Sequence, residues 1–411
     1  MTSGGNWPSV PLAELAASTK GAIVGGPFGS DLVANDYVSE GVPVVRGRNL
    51  PKTERFSYDN LVYVSEAKAD ALHLNCARPG DLVFTQRGTL GQVGVIPDDL
   101  RYPRFLISQS QMKMTVDTAK AEPLYLYYYF RLPATVANIE NHALQAGVPH
   151  INLGILRKLQ VLAPPRAIQR KIVAILSAYD DLIANNQRRI ALLESMAEEI
   201  YREWFVRMRF PSYREARMVK GLPSSWALRP FKKFCVLKRG YDLPDSSMQP
   251  GDYPVIASSS IKGFHNEFKV NPPVITTGRS GSLGTVLLIN RKSWPLNTAL
   301  YVKDFCGNSP FLIYYTLRSL KLETFNVGAG VPMLNRNHLS GLGIAVPDAA
   351  LQRRFDAVLG PMHEQASLLA DTNERLAAQR DALLPRLISG KLKVDHLDIQ
   401  LPPSMREKVT A

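Results

Sequence analysis

The chain has 411 residues, 45% of them hydrophobic and 21% charged, which is typical of a globular protein with room for two or three domains. No apolar stretch is long enough to span a membrane, and residues 1–6 lack the basic and apolar regions of a signal peptide. The net charge of +13 favours a polyanionic partner such as nucleic acid, and the alternative is a merely basic, soluble protein. Three widely spaced cysteines, Cys76, Cys235 and Cys306, indicate a reducing, cytoplasmic compartment rather than a disulfide framework or a zinc site.

The first 160 or so residues are typical of short strands separated by turns. Apolar runs at 42–45, 81–85 and 91–96 predict three of these strands. Gly88 and Gly91 bracket a tight connection between the second and the third. The aromatic run 123–130 predicts a short buried helix, although a strand is the alternative for so short an apolar run.

A long helix is predicted after the proline pair that ends at Pro165. Its apolar residues follow the alternating four- and three-residue spacing of a coiled coil. About 44 residues without a strong breaker would form a rod of about 66 Å at 1.5 Å per residue. The positions expected to face a partner helix are Ile172, Ile175, Leu182 and Leu193.

The second half of the chain repeats the first. The Gly-Val-Pro segment that starts at Gly147 recurs at Gly330, and the same spacing relates Gln169 to Gln352. The predicted strands and the short helix recur in the same order at 253–256, 274–277 and 310–315. Such a duplication indicates a pseudo-two-fold molecule with two binding surfaces.

A second long helix follows the second copy of the repeat. Its partner-facing positions are expected to be Phe355, Met362, Leu369 and Leu376. Gly360 and Pro361 should kink this helix early, and Pro385 should end or kink it late. Because neither apolar stripe can remain in water, we expect the two helices to pair antiparallel, with one globule at each end. The alternative is that each helix docks on its own globule.

Catalytic signatures are nearly absent from the sequence. The segment 271–274, Asn-Pro-Pro-Val, differs from the Asn-Pro-Pro-aromatic loop of amino-methyltransferases because valine cannot stack on a flipped base. We therefore interpret it as a turn that enters a strand. The Gly-rich segment 278–284 lacks the Gly-Lys-Ser/Thr ending of a phosphate loop, and the seven histidines form no metal-ligand cluster. The sequence thus predicts neither a catalytic nor a metal site.

Polar and basic residues instead follow matching strands in both halves. Arginine and glutamine suit two-pronged contacts with guanine and adenine edges, whereas serine and lysine suit phosphates and mixed contacts. The alternative for any single residue is that it is a solvated loop residue. The candidate DNA-binding residues are Arg46, Arg48, Gln86 and Arg87 in the first half, and Ser259, Lys262, Arg279 and Ser280 in the second.

These features together resemble the specificity subunit of a type I restriction–modification enzyme. The resemblance covers nearly the whole chain. It rests on the order of several motifs, much of which occurs twice. The motifs are Gly-Pro-Phe-Gly-Ser-Asp at 26–31 with Gly-Val-Pro-Val-Val-Arg-Gly at 41–47, the two Gly-Val-Pro segments, the two helix starts with Gln-Arg, and Leu-Pro-Arg-Leu-Ile-Ser-Gly-Lys-Leu at 384–392.

The resemblance implies an α+β fold with two mixed α/β target-recognition domains, joined by two long antiparallel coiled-coil helices and related by a pseudo-two-fold repeat. Each domain would read one half of a split, asymmetric site in double-stranded DNA, and the helices would set the unread spacer. The expected ranges are 1–163 and 213–346 for the recognition domains, 164–212 and 347–395 for the helices, and 396–411 for a C-terminal tail.

The resemblance also implies partners. Two modification subunits would dock on the helices, and a restriction subunit would join them. S-adenosylmethionine, ATP and Mg²⁺ are expected in those partners, with no cofactor in this chain. Two alternatives stay open at this point: a fused DNA methyltransferase with unrecognised motifs, and a coiled-coil scaffold without a DNA role. Methyl transfer by the isolated chain would favour the first, and absence of salt-dependent DNA binding by the assembled complex would favour the second.

Overall fold

The computed structural model describes residues 7–143, 148–328, 330–401 and 405. Residues 1–6, Gly147 of the first Gly-Val-Pro segment, and 402–404 and 406–411 of the predicted tail lie outside the described residues. The chain divides into two compact units, Met1–Asn185 with Asn373–Ala411, and Asn186–Thr372. Each unit therefore contains one globule, the first half of one long helix and the second half of the other.

The first unit contains a globule of short strands and helices. Its elements begin with the strands β1 (Ser9–Pro11), β2 (Ile23–Gly25), β3 (Tyr37–Val38), β4 (Val42–Val45), β5 (Val62–Val64), β6 (Cys76–Ala77), β7 (Leu82–Thr85), β8 (Val93–Val95), β9 (Phe105–Ile107), β10 (Gln111–Met114) and β11 (Gln160–Leu162). The helices are α1 (Glu66–Ala71), α2 (Pro123–Phe130), α3 (Pro133–Asn141), α4 (Leu153–Lys158) and the long α5 (Arg166–Tyr201).

One antiparallel sheet and one mixed sheet form the body of this globule. One has the strand order β2-β10-β7-β8 and the other β3-β5-β4-β9-β6, and β1 pairs with β11. All these pairings are antiparallel except that of β4 with β9. The strands β4 and β7 are buried along their whole length, which explains why they are continuous apolar runs rather than alternating ones.

The short aromatic run forms a helix, as predicted. A proline at the first turn of α2 suits a helix start, because that position has no intrahelical N–H bond to lose. Tyr125, Tyr127 and Tyr128 are buried in the core of the globule. Burial of several large rings provides much of the apolar area that holds this core together.

The second unit repeats this architecture with fewer strands in its second sheet. Its strands are β12 (Met218–Val219), β13 (Leu222–Pro223), β14 (Ala227–Pro230), β15 (Val236–Arg239), β16 (Tyr253–Ile256), β17 (Ile261–His265), β18 (Val274–Gly278), β19 (Val286–Ile289), β20 (Trp294–Pro295), β21 (Ala299–Asp304) and β22 (Gly343–Val346). Its helices are α6 (Phe231–Phe234), α7 (Pro310–Ser319), α8 (Arg336–Leu339) and the long α9 (Ala349–Ile388).

The sheets of the two globules correspond strand by strand. The order β15-β21-β18-β19 repeats β2-β10-β7-β8, and the pair β14-β22 repeats β1-β11. The parallel pairing of β16 with β20 repeats that of β4 with β9. In the second globule β17 and β20 flank β16, as β5 and β9 flank β4 in the first, but the sheet of the first globule also contains β3 and β6. The copies therefore share a frame but not their loops.

The long helices differ from expectation at their ends. Helix α5 has 36 residues rather than about 44, and a turn of π-helix, Arg202–Val206, follows it directly. Helix α9 continues through Pro361 and ends at Ile388, so it does not end at Pro385, where an end or a kink was expected. Leu387 and Ile388 are buried beyond this proline, and their packing offsets the lost helical hydrogen bond.

In each unit the two long-helix segments share one core with their globule. In the first unit, Ile172 and Leu176 of α5 cluster with Leu384 and Leu387 of α9 and with the rings of α2. In the second unit, Phe355 and Leu359 of α9 occupy the equivalent positions, in one cluster with Ala197 and Tyr201 of α5. Helix pairing and docking on the globule, which were alternatives on the sequence, therefore occur together.

The helix segments run antiparallel within the first unit. Arg380 donates to Asp180 over 2.6 Å, and the side chain of Asn373 donates to the carbonyl of Ile183 over 3.3 Å. Rising numbers on one helix thus meet falling numbers on the other. In the second unit the ring of Tyr201 near the end of α5 lies 6.4 Å from that of Phe355 near the start of α9, as antiparallel pairing requires.

Among the predicted contact positions, Leu182 is 52% exposed. Ile172 and Phe355 are fully buried, and the other predicted positions are half-buried. The inward row of α5 passes through Leu176, Asp180 and Ile183 instead. A straight helix has 3.6 residues per turn, so a fixed heptad pattern drifts around it. In addition, Asp180 is polar, so a pattern of apolar residues does not include it. The remaining half-buried positions are Ile175, Leu193, Met362, Leu369 and Leu376.

The glutamine of each repeated Gln-Arg pair has a structural role. Gln169 accepts the backbone N–H of Glu122 over 2.9 Å, and Gln352 accepts that of Ser309 over 2.8 Å. Each also donates to the carbonyl of the proline before its helix, over 2.8 and 2.9 Å. Both glutamines are buried, so they tie the start of a long helix to the start of the short aromatic helix.

The polar contact between the short aromatic helix and the long helix differs between the units. In the first, the Tyr128 hydroxyl donates to Asp180 over 2.6 Å, whereas in the second the Tyr315 hydroxyl lies 2.9 Å from Nε2 of His363 at the equivalent helix position. Burial, with a contribution from a nearby arginine, lowers the pKa of His363 to about 4, so this imidazole is neutral at neutral pH. The residue equivalent to Arg380 is Ala197, which is buried.

Candidate nucleic-acid interface

The Gly-bracketed turn has the same backbone in both globules. In the first it joins β7 to β8, with φ of +103° at Gly88 and +76° at Gly91. In the second it joins β18 to β19, with φ of +89° at Gly281 and +88° at Gly284. These left-handed conformations favour glycine, which explains why the glycines recur at this spacing.

The segments that contain the two Gly-Val-Pro motifs are hydrogen-bonded to these turns. In the first globule the N–H of Ile151 donates to the carbonyl of Gln86 over 3.0 Å. In the second the N–H of Leu334 donates to the carbonyl of Arg279 over 2.8 Å, and that of Gly281 to Pro332 over 2.9 Å. These bonds make Arg279 the structural counterpart of Gln86, and Ser280 that of Arg87.

A short segment of the first globule, residues 108–111, is hydrogen-bonded to two of its loops; we call it the first anchor loop. The carbonyl of Ser110 accepts the N–H groups of Gln86 and Arg87, over 2.7 and 3.3 Å. The N–H of Ser108 donates to the carbonyl of Val45 over 2.9 Å, at the end of β4. This segment therefore fixes both loops that carry the predicted binding residues.

The second globule has an equivalent segment, residues 296–299, the second anchor loop. The carbonyl of Thr298 accepts the N–H groups of Arg279 and Ser280, over 2.8 and 3.1 Å, and the hydroxyl of Ser258 over 3.1 Å. Sequence reasoning missed both anchor loops because they hold the turns through backbone carbonyls. The signal available was a short polar run, Ser-Gln-Ser-Gln at 108–111, between two apolar strands.

The structure brings the four candidates of the first globule together. A Cβ atom at Gly47 would lie 3.9 Å from Oγ1 of Thr85, so the segment after β4 adjoins the turn after β7. Arg48 and Arg87 are exposed, and within residues 7–143 and the other described ranges neither has a side-chain partner. Arg46 differs, because its guanidinium donates to the carbonyl of Asn60 and its Nε is buried without a partner. Arg46 thus holds a loop of the protein.

The candidates of the second globule are more engaged with the protein. Arg279 is half-buried and donates to the carbonyl of Asn297 over 3.2 Å, which leaves its other N–H groups for a ligand. Ser280 is half-buried, and its carbonyl accepts the hydroxyl of Ser258 over 2.6 Å. Lys262 lies on β17; it is exposed and forms an ion pair with Asp245. Ser259, half-buried, follows β16 as predicted.

Clusters of metal-binding side chains are not found in the part of the chain that the structure describes. No group of three or more histidine, cysteine or acidic side chains there could hold a metal ion. The Asn-Pro-Pro-Val segment leads into β18, as predicted, and Val274 is buried. None of the helices within the described residues is long and apolar enough to cross a membrane.

A family model described as the type I restriction modification DNA specificity domain matches the chain twice, at residues 35–195 and 223–376. The chain belongs to this family. Each match spans most of one globule and much of the long helix that follows it, so the duplication found in the sequence is a duplication of the specificity domain. The chain is accordingly a specificity subunit, which recognises DNA sequence and is not the catalytic subunit of its system.

Curated and solved relatives agree with this assignment. The MjaIX type I restriction enzyme specificity subunit of Methanocaldococcus jannaschii is 22% identical over 92% of this chain and 92% of its own length. A putative MjaX specificity subunit of the same organism is 20% identical over 86% of this chain and 88% of its own. The crystal structure of a type I S subunit from M. genitalium superposes with a TM-score of 0.57 at 16% identity, over 93% of this chain and 96% of that one. This last likeness supports the fold.

Family membership decides between the alternatives that the sequence left open. A coiled-coil scaffold without a DNA role is wrong, because the matching domains are DNA specificity domains. The fused methyltransferase is also not supported, since the family model accounts for both globules of the specificity subunit.

Proposed function

We propose that the two globules of this specificity subunit each read one half of a bipartite, asymmetric site in double-stranded DNA. The observation that carries this proposal is one turn built twice with different side chains. Gln86 and Arg87 stand in the first copy where Arg279 and Ser280 stand in the second, on backbones held by equivalent hydrogen bonds. The same frame with different donors and acceptors is suited to reading different bases.

The candidate residues divide by their availability. Arg48 and Arg87, exposed beside the first anchor loop, are proposed to contact base edges or phosphates directly. In the second globule, Arg279 and Ser280 are proposed to contact base edges or phosphates. Ser259 and Lys262 are proposed to contact phosphates. Arg46 and Gln86 are proposed to support the first reading surface. The recognition domains are proposed to span 1–163 and 213–346.

The long helices, proposed to span 164–212 and 347–395, would set the number of unread base pairs between the half-sites. They would also dock two modification subunits, with a restriction subunit as a further partner. S-adenosylmethionine, ATP and Mg²⁺ would be bound by those partners. The proposed compartment is the cytoplasm, in keeping with three free cysteines.

Methylation mapping tests the proposed function. Cells that carry this protein with its modification subunits should methylate a single asymmetric sequence made of two short half-sites and a fixed spacer. Cells that carry the modification subunits alone are the control and should not methylate that sequence. Methylation of a single uninterrupted site, or of the same bipartite site without this chain, would refute the proposal.

The isolated chain is expected to bind no S-adenosylmethionine. Its sequence lacks a Gly-rich cofactor loop, and the aromatic ring that would stack on a flipped base is replaced by the buried Val274. Isothermal titration calorimetry of the purified chain should show no stoichiometric binding, whereas the purified modification subunit serves as the positive control. A saturable one-to-one signal from this chain would contradict the assignment of the cofactor to the partner.

Shortening both long helices is expected to shorten the spacer. Deleting one heptad around Asn186 and one around Leu369, at equivalent positions of the repeat, removes about 10 Å of helix, or about three base pairs of DNA. Methylation mapping should find both half-sites unchanged and the spacer reduced. Replacing the exposed residues of the same heptads by alanine keeps the length and should keep the spacer. Changed half-sites with an unchanged spacer would show that the helices do not set this distance.

A further inference from the structure

Phe28 is 89% exposed on a loop that the protein holds in place. The loop follows β2, and the side chain of Gln109 donates to two of its carbonyls, those of Gly29 over 2.8 Å and Leu32 over 2.9 Å. The N–H of Gly26 donates to the carbonyl of Gln111 over 2.7 Å. The ring is therefore presented to solvent by a fixed backbone.

A single exposed apolar side chain is common and needs no explanation by itself. The position of Phe28 is what distinguishes it. Its loop is bonded to the first anchor loop, which also holds Gln86 and Arg87. A Cβ atom at Gly25 would lie 3.5 Å from Oε1 of Gln86, so the loop adjoins the turn. Phe28 thus belongs to the same surface as the proposed base-reading residues.

The second globule presents a different group at this place. Gly240 is the counterpart of Gly26, because its N–H donates to the carbonyl of Ala299 over 3.0 Å in the second anchor loop. A Cβ atom at either glycine would collide with a backbone carbonyl of its own anchor loop, 2.0 Å away at Gly26 and 2.2 Å away at Gly240. Two residues further along, Phe28 corresponds to Asp242, a carboxylate. The apolar group is therefore a property of the first reading surface alone.

We propose that Phe28 reads a thymine in the half-site of the first globule, through contact with the thymine 5-methyl group. A phenyl ring neither donates nor accepts a conventional hydrogen bond. The apolar group that a base pair displays in the major groove is the methyl of thymine, beside the acceptors and donors that arginine and glutamine recognise. This inference rests on the proposed function, since it assigns a base preference to one of the two reading surfaces.

The test uses the chain in complex with its modification subunits and the mapped DNA site. Each thymine of the first half-site is replaced in turn by deoxyuridine, which lacks only the methyl group. The wild-type complex should lose about fourfold in affinity at one of these positions, the effect of one buried methyl group of about 0.8 kcal/mol. The Phe28→Ala complex should bind thymine and uracil equally well there, and both complexes should read the second half-site alike.

Leu100→Ala is the matched control. Leu100 is 96% exposed in the same globule, but it lies after β8, at the end of the β7–β8 hairpin opposite to the turn. This variant should retain the discrimination between thymine and uracil. Because Phe28 is exposed, its replacement should leave the thermal unfolding midpoint unchanged, which excludes a folding defect as the cause.

Three results would overturn the inference. The wild-type complex could bind thymine and uracil equally at every position of the first half-site, Phe28→Ala could keep the discrimination, or Phe28→Ala could weaken all DNA sequences alike. The last result would indicate a backbone contact or a wedge between base steps. If Arg87→Ala still alters only the first half-site, the proposed function stands and the role of Phe28 alone is wrong.

Discussion

Replacing Arg87 by alanine is expected to relax recognition in one half-site and to leave the other unchanged. Arg87 is exposed at the turn between β7 and β8, and its backbone is fixed by the first anchor loop. Loss of a base-reading arginine should cost about 1–3 kcal/mol, or about 5- to 150-fold in affinity, at one base position. The measurement is binding to single-base variants of the site at constant salt.

Arg279→Ala should have the corresponding effect on the other half-site. Arg279 also donates to the carbonyl of Asn297, so its replacement should be accompanied by a comparison of unfolding midpoints. Arg87→Lys is the conservative control, because lysine keeps the charge but loses the two-pronged geometry. A role in reading guanine predicts that lysine fails to restore specificity, whereas a phosphate contact predicts that it restores affinity.

Two outcomes would count against this assignment. If both alanine variants perturb the same half-site, the two globules do not read separate half-sites. If each variant weakens all sequences equally and reduces the salt dependence of binding, the arginines contact phosphates and the bases are read by other residues.

Replacing Arg380 by alanine is expected to destabilise the chain by about 1–3 kcal/mol, because it leaves the half-buried carboxylate of Asp180 without its more buried cationic partner. Arg380 is 4% exposed and lies 2.6 Å from Asp180. Asp180 also accepts the hydroxyl of Tyr128, whose pKa burial raises, so this hydroxyl remains a donor. Arg55 contacts the same carboxylate over 3.3 Å but is less buried.

Urea unfolding followed by circular dichroism measures this effect. Arg386→Ala is the matched control, since Arg386 is exposed on the same helix, and its loss should change the free energy of unfolding by less than about 0.5 kcal/mol. The double variant Asp180→Asn with Arg380→Leu should recover part of the loss, because it removes both charges from the core. Equal stability of Arg380→Ala and Arg386→Ala would show that the ion pair contributes little.

The duplicated frame of the molecule could be predicted from the sequence because its signals are local and occur twice. Apolar runs such as 42–45 and 274–277 are buried strands, and the turn glycines adopt the left-handed conformations that require glycine. The short aromatic run was predicted as a helix with a strand as the alternative, and the helix is confirmed, with a proline at its start and buried rings. Repetition made each of these patterns more specific than a single copy would be.

What the sequence did not reveal depends on contacts between distant residues. The anchor loops hold the turns through backbone groups, which nearly every residue type supplies, so a short polar run such as 108–111 is a weak signal of them. Arg46 was predicted to bind DNA, but nothing local indicates that its guanidinium reaches the carbonyl of Asn60. Leu182 fits an apolar pattern, yet the inward row of α5 contains Asp180, whose partners lie in three other segments of the chain.

The polar residues that contact the two aromatic helices differ, Asp180 in the first unit and His363 in the second, and this difference bears on which long helices can pair. Helices α5 and α9 are two copies of one repeat. Either helix could therefore pair with the same helix of a second molecule. Two α5 helices paired in the same manner would place Asp180 against Ala197, and two α9 helices would place Arg380 against the half-buried, neutral His363. The first pairing would separate Asp180 from Arg380, and the second would leave the buried Arg380 without Asp180. The ion pair is therefore expected to disfavour an exchange of halves between molecules of this chain.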